Sequence, residues 1–179
     1  MVDFNRDRHL IDLYADREHL LVQGIARLGG TDFRFHLYRF DGSAYVPISP
    51  EILPAPTIPV LFKPLGCPLP EGRYVASDAD FVDYLTELMG GFGIPSFLKQ
   101  RRRGLSYLLL GMTLDRDTER MLLDGIAQDA DDTAGWAFLP EATTKASAFI
   151  SRHGMVRIEA KDVDWNVIGQ GSDLAAQTP

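Results

Sequence analysis

The chain has 179 residues, 45% of them hydrophobic, and a net charge of −7, enough apolar content for one buried core and a single domain. The acidic balance argues against nucleic acid or an anionic membrane as the main partner, since both need clustered positive charge. One cysteine, Cys67, excludes a disulfide framework and points to a reducing cytoplasm, and neither a signal peptide nor a run of roughly 18 apolar residues is found.

Residues 5–28 are predicted to be helical. Asp16 is the expected N-cap of the stronger half, Leu20, Leu21, Ile25 and Leu28 form its apolar face, and Gly29-Gly30 ends it. Thr31–Phe40 alternates with period two. Asp41-Gly42 and Ala44-Tyr-Val-Pro-Ile48 follow, which predicts an antiparallel hairpin with Pro47 on an edge strand. Pro50, Pro54, Pro56 and Pro59 make a stiff connection to the strand Val60-Leu-Phe62.

Lys63–Pro70 is predicted to be a rigid loop and Tyr74-Val-Ala a short strand. Ser77 is the expected cap of a helix that buries Phe81, Leu85, Leu88 and Met89. Gly90–Gly93 stops that helix, and Pro95 opens a short one to about Arg102. Tyr107–Leu110 is a near-continuous apolar run bounded by turn signals. It predicts a strand buried on both faces, as in the middle of a parallel sheet. Gly111-Met-Thr-Leu-Asp115 then turns into a helix to about Gln128, with Asp115 as the expected N-cap. Asp129–Asp132 is an acidic turn, and Gly135–Leu139 a further buried strand. Thr143 or Thr144 starts a helix carrying Ala146, Phe149, Ile150 and His153 on one face. Gly154 ends it, and Met155–Ile158 is the last strand.

From residue 58 on, strands alternate with helices, the pattern of βαβ units and a parallel sheet. The expected fold is α/β: a three-layer, mostly parallel Rossmann-like half-sheet of roughly five strands with an antiparallel edge hairpin. One domain over residues 1–168 is expected, with a disordered tail over 169–179.

The order of these stations resembles the SIR2-like family, in its bacterial branch rather than the histone-deacylase sirtuins. Pro59-Val-Leu-Phe-Lys-Pro-Leu-Gly66 is similar to the family's strand ending in Lys-Leu-His-Gly. Tyr74–Leu85 resembles its Thr-x-x-Asp-Tyr helix start, and Leu108-Leu-Leu-Gly-Met-Thr-Leu-Asp115 resembles its Leu-Gly-Tyr-Ser-Leu-x-Asp. Gly135–Leu139 and Lys145–Glu159 resemble its last strand–helix–strand. The similarity covers about residues 58–160, and residues 1–57 form an N-terminal helix and hairpin of a different kind. The resemblance implies NAD at the C-terminal edge of a parallel sheet, with Gly111, Thr113, Leu114 and Asp115 as cofactor-binding residues. It also implies a histidine base, but that position is Leu65, which cannot take a proton. The family's glycine-rich phosphate loop and Thr-x-Asn have no counterpart upstream. Gly90-Gly-Phe-Gly-Ile-Pro-Ser-Phe97 is superficially similar to that loop but follows a helix instead of opening one.

Two readings of Gly111–Asp115 stand side by side: a cradle for ribose or phosphate at a helix N-terminus, and an ordinary βα turn whose Asp115 would repel phosphate. The four histidines have no metal-ligand spacing. Cys67 is either a nucleophile served by Lys63 or an idle thiol. Lys99–Arg103 is a solvated helix end or a surface for an acidic partner. The expected function is therefore a non-catalytic SIR2-like pseudoenzyme, cytoplasmic, without metal or resident cofactor. It binds or regulates another protein chain in a bacterial assembly, through the Phe/Tyr-rich hairpin and Arg101–Arg103. The alternatives are an NAD- or adenine-nucleotide-binding protein, an NAD-consuming enzyme completed by a partner chain, and a small hydrolase using Cys67.

Overall fold

A computed structural model describes residues 1–26, 33–49, 57–127, 135–159 and 161. Leu28, the Gly29-Gly30 stop, Thr31, Pro50, Pro54, Pro56, the Asp129–Asp132 turn and the expected tail lie outside the described residues. The fold mixes helices and strands in two compact units, Met1–Arg102 and Arg103–Pro179. Among the described residues no helix is long and apolar enough to cross a membrane.

The first unit is built on a four-stranded mixed sheet. Its strands are β1 (His19–Gly24), β2 (Phe35–Phe40), β3 (Tyr45–Pro47) and β4 (Val60–Lys63), in the order β3-β2-β1-β4. The hairpin β2–β3 is antiparallel at one edge, with Pro47 on the edge strand as predicted, and β1 pairs with β4 in parallel. The helix predicted over residues 5–28 is replaced by a single turn, α1 (His9–Asp12), and by β1. Leu20-Leu-Val22 is a short continuous apolar run, and every residue of β1 is buried between two neighbouring strands. That burial on both faces overrides a marginal helical stripe, and Asp16 caps nothing. Ile11, Leu21, Tyr38, Leu61 and Cys67 form one core cluster of this unit.

The loop after β4 contains a small antiparallel pair, β5 (Gly66–Cys67) with β6 (Arg73–Tyr74). Helix α2 (Asp78–Met89) opens on the predicted cap. Ser77 accepts from the Asp80 N–H, and the Asp80 carboxylate accepts from the Ser77 N–H. Its buried face is Tyr84, Leu85 and Leu88, while Met89 is exposed. Arg34, buried just before β2, donates to Asp83 and Glu87 one turn apart on α2 and ties helix to sheet. Helix α3 (Ser96–Arg101) follows Pro95.

The second unit is a three-stranded parallel sheet, β7 (Tyr107–Leu109), β8 (Gly135–Phe138) and β9 (Met155–Ile158), in sequence order. Helices α4 (Asp117–Ala127) and α5 (Thr144–Arg152) connect them. Their Leu123, Ala146, Phe149 and Ile150 pack with Leu109, Ala137, Leu139 and Met155. Consecutive right-handed crossovers stepping in one direction put both helices on one face. The other face carries Leu108, Trp136 and Val156, and all three are exposed. The expectation that Tyr107–Leu110 is buried on both faces is thereby corrected, and Gly135–Leu139, expected as a buried strand, exposes Trp136. Among the described residues β7 is an edge strand, and the helices α4 and α5 pack on one face of its sheet. The β4 strand belongs to the first unit's sheet, so the expected single five-stranded sheet is not formed.

Candidate functional site

The parallel strands of the second unit aim their C-terminal ends at two βα turns. The first is Gly111–Asp115. Gly111 has φ +70° with open space where a Cβ would stand, and Leu114 holds a left-handed φ of 57° with its side chain fully buried. Such a conformation costs a non-glycine residue roughly 1–2 kcal/mol. It is held because Leu114 points into the core while Thr113 and Asp115 stay outside.

Three donors of this turn, the Leu114 and Asp115 N–H groups and the Thr113 hydroxyl, are engaged within it. The Leu114 N–H donates to the Glu119 carboxylate at 2.9 Å, and the Thr113 hydroxyl donates to the same oxygen at 3.4 Å. The Asp115 N–H donates to the Thr113 hydroxyl at 3.5 Å. The Leu114 carbonyl accepts from Arg120, whose guanidinium also binds Asp117. Asp115 is not the helix cap: α4 begins at Asp117, with the Arg120 N–H bonded to the Arg116 carbonyl. The Asp115 carboxylate instead accepts the Thr143 hydroxyl at 2.7 Å. Thr143 is the N-cap of α5, and its oxygen accepts from the Ala146 N–H at 3.2 Å. Asp115 thus ties the β7–α4 turn to the β8–α5 turn.

An anion entering here would have to displace Glu119 and face Asp115 and Asp117, while Arg120 is already engaged. Among the described residues the strands of this sheet run in sequence order, with no point at which the order reverses, where open α/β sheets form a ligand crevice. Glu119 is the residue of this turn that the sequence pattern does not single out. Its signal is an acidic residue in the first turn of α4 beside a hydroxyl and a glycine turn. Along α4 and α5 runs an open groove of about 480 Å³. Its Asp124 is held by Arg152 at 3.0 Å and by the His153 ring at 2.6 Å.

The second predicted station, Lys63–Cys67, lies in the first unit. Lys63 is fully buried and paired with Asp3 at 2.5 Å. Gly66 has φ +83°, and a Cβ there would meet the Arg73 carbonyl at 2.1 Å, so the approach of β6 demands glycine. Leu65, where the resemblance places a histidine, is half-buried, and its carbonyl accepts from the Val75 N–H. The Cys67 thiol is buried and donates to the Leu69 carbonyl at 3.0 Å. Burial pushes its pKa up, against the lowering influence of Leu69, Lys63 and Gln23, which works against a reactive thiolate. Gln23 clamps the loop by donating to the Cys67 and Glu71 carbonyls, each at 2.9 Å.

Gly90–Phe97 is a packed helix stop: the Phe92 N–H bonds back to Glu87, and Gly93 sits against Leu88. Within Lys99–Arg103, Lys99 donates to the Gly91 carbonyl, Arg101 to the Ile58 carbonyl, and Arg102 is buried. The hairpin's Phe35, Leu37 and Tyr38 fill the core, whereas Phe33 and Val46 are exposed. Among the described residues no group of three His, Cys, Asp or Glu side chains could hold a metal ion.

No family model, curated protein or solved structure matches the chain.

Proposed function

We propose that the chain is a non-catalytic SIR2-like domain that binds or regulates another protein in a bacterial assembly. The observation that carries this reading is the Glu119 carboxylate, which accepts from the Leu114 N–H and the Thr113 hydroxyl, two of the donors that a phosphate or ribose would use at Gly111–Asp115. Leu65 in place of a basic side chain supports it, since it offers no proton acceptor. In this reading β7–β9 represent half of a three-layer, Rossmann-like parallel sheet, and the cytoplasm is the compartment.

Isothermal titration of the full chain with NAD, ADP-ribose and ATP tests the proposal, together with an NAD hydrolysis assay. Flat titrations and no turnover are expected. Hydrolysis abolished by Thr113→Val overturns it. The second reading, an NAD- or adenine-nucleotide-binding protein completed by a partner chain, is favoured by the open space at Gly111 beyond a parallel strand. It requires measurable nucleotide affinity, strengthened by Glu119→Gln, which removes the competing charge.

A further inference from the structure

Alternation along the second unit's strands sorts their side chains onto two faces. Tyr107, Leu109, Gly135, Ala137 and Met155 share the helix-covered face. Leu108, Trp136 and Val156 stand in register as one row across the opposite face. Leu110, just past β7, continues that face by the same alternation. These four side chains are 57%, 48%, 59% and 63% exposed in the order Leu108, Trp136, Val156, Leu110.

Parallel sheets are ordinarily covered on both faces. The four exposures together amount to roughly 500 Å² of apolar surface, at the upper range for a patch on a lone monomer. A standard interface buries about 800 Å² per partner, somewhat over half of it apolar, so the patch matches the apolar core of one such interface. None of the four residues is charged. Two copies of a chain of net charge −7 repel one another on average, and this row adds no charge to that repulsion. A two-fold contact needs a self-complementary patch, and an uncharged row centred on the middle strand satisfies that without like-charge contacts.

We propose that this face is a self-association surface, occupied by the same face of a second copy of the chain. Its apolar rows pack sheet against sheet, with Trp136 of β8 at the centre. The inference goes beyond the proposed function and does not depend on the nucleotide site.

Sedimentation equilibrium of the full chain over a range of concentrations tests it. A monomer–dimer equilibrium is expected, and Val156→Glu or Leu108→Lys is expected to weaken it by at least about tenfold, because each buries a charge in both copies. Circular dichroism checks that the variants keep their fold. If they do not, a Trp165→Phe chain decides instead, since Trp136 is then the sole tryptophan. Its emission is expected to shift to the blue as concentration rises. A monomer at all concentrations overturns the proposal, as does a dimer that both folded variants leave intact. A blue, concentration-independent Trp136 emission overturns it too, because the chain then covers its own face or takes another occupant.

Discussion

Leu114 is the residue on which the second unit's turn depends. It holds a left-handed backbone and a fully buried side chain at once, which are opposed demands. Truncating a buried leucine costs about 2–5 kcal/mol through lost burial and the cavity left behind. Leu114→Ala pays that cost and keeps the unfavourable φ, whereas Leu114→Gly removes a further carbon but relieves the backbone by roughly 1–2 kcal/mol. Chemical denaturation is expected to find Leu114→Gly at least as stable as Leu114→Ala, the reverse of the usual order. A glycine variant clearly less stable than alanine would show that the turn carries no such conformational cost. Asp115 teaches a related lesson. Its position ahead of a helix reads as a cap, yet its carboxylate serves the hydroxyl of Thr143, 28 residues away. Only the parallel pairing of β7 with β8 brings the two together, and no local pattern announces it.

Among the elements, the hairpin β2–β3 was the most legible, because its signals are local. Asp41-Gly42 between alternating strands fixes the turn, and the Asp41 carboxylate accepts from the Ser43 N–H and hydroxyl at 2.8 Å and from the Ala44 N–H at 2.9 Å. These bonds, the Ala44 N–H foremost, hold its pKa down from 3.8 to about 2. A carboxyl lowered by folding favours the native state when ionised. Its contribution is complete above pH 3.8 and is lost as the pH falls through about 2. Titration followed by NMR is expected to give Asp41 a midpoint near 2, and Asp41→Asn is expected to flatten the acid limb of the stability profile over that window. A midpoint at the ordinary carboxylate value removes the turn's acid dependence. β1 was illegible for the opposite reason. Leu20, Leu21 and Ile25 fit a helical stripe as well as a strand, and what decides between them is pairing with β2 and β4 far along the chain. The amide of Gln23 likewise finds its acceptors 44 and 48 residues away.

At the scale of the whole molecule, the sequence announces alternating strands and helices but not how the strands divide. Short apolar runs such as Val60-Leu-Phe62 and Tyr107–Leu110 look alike in sequence, and both read as strands of one parallel sheet. β4 is buried in a mixed sheet, whereas β7 is an edge strand with Leu108 exposed. Each unit draws on its own apolar cluster. Ile11, Leu21, Tyr38 and Leu61 serve the first, and Leu109, Leu123, Ala137, Phe149 and Met155 serve the second. A cavity in one cluster should therefore loosen mainly the backbone that surrounds it. Phe149→Ala, which empties the space between α5 and the parallel sheet, is expected to destabilise the second unit by about 3–5 kcal/mol. Hydrogen exchange should then show lost protection at β7–β9, α4 and α5, with β1, β2 and β4 exchanging as before. Equal loss of protection in both sets of strands would mean that the two clusters unfold as one cooperative core.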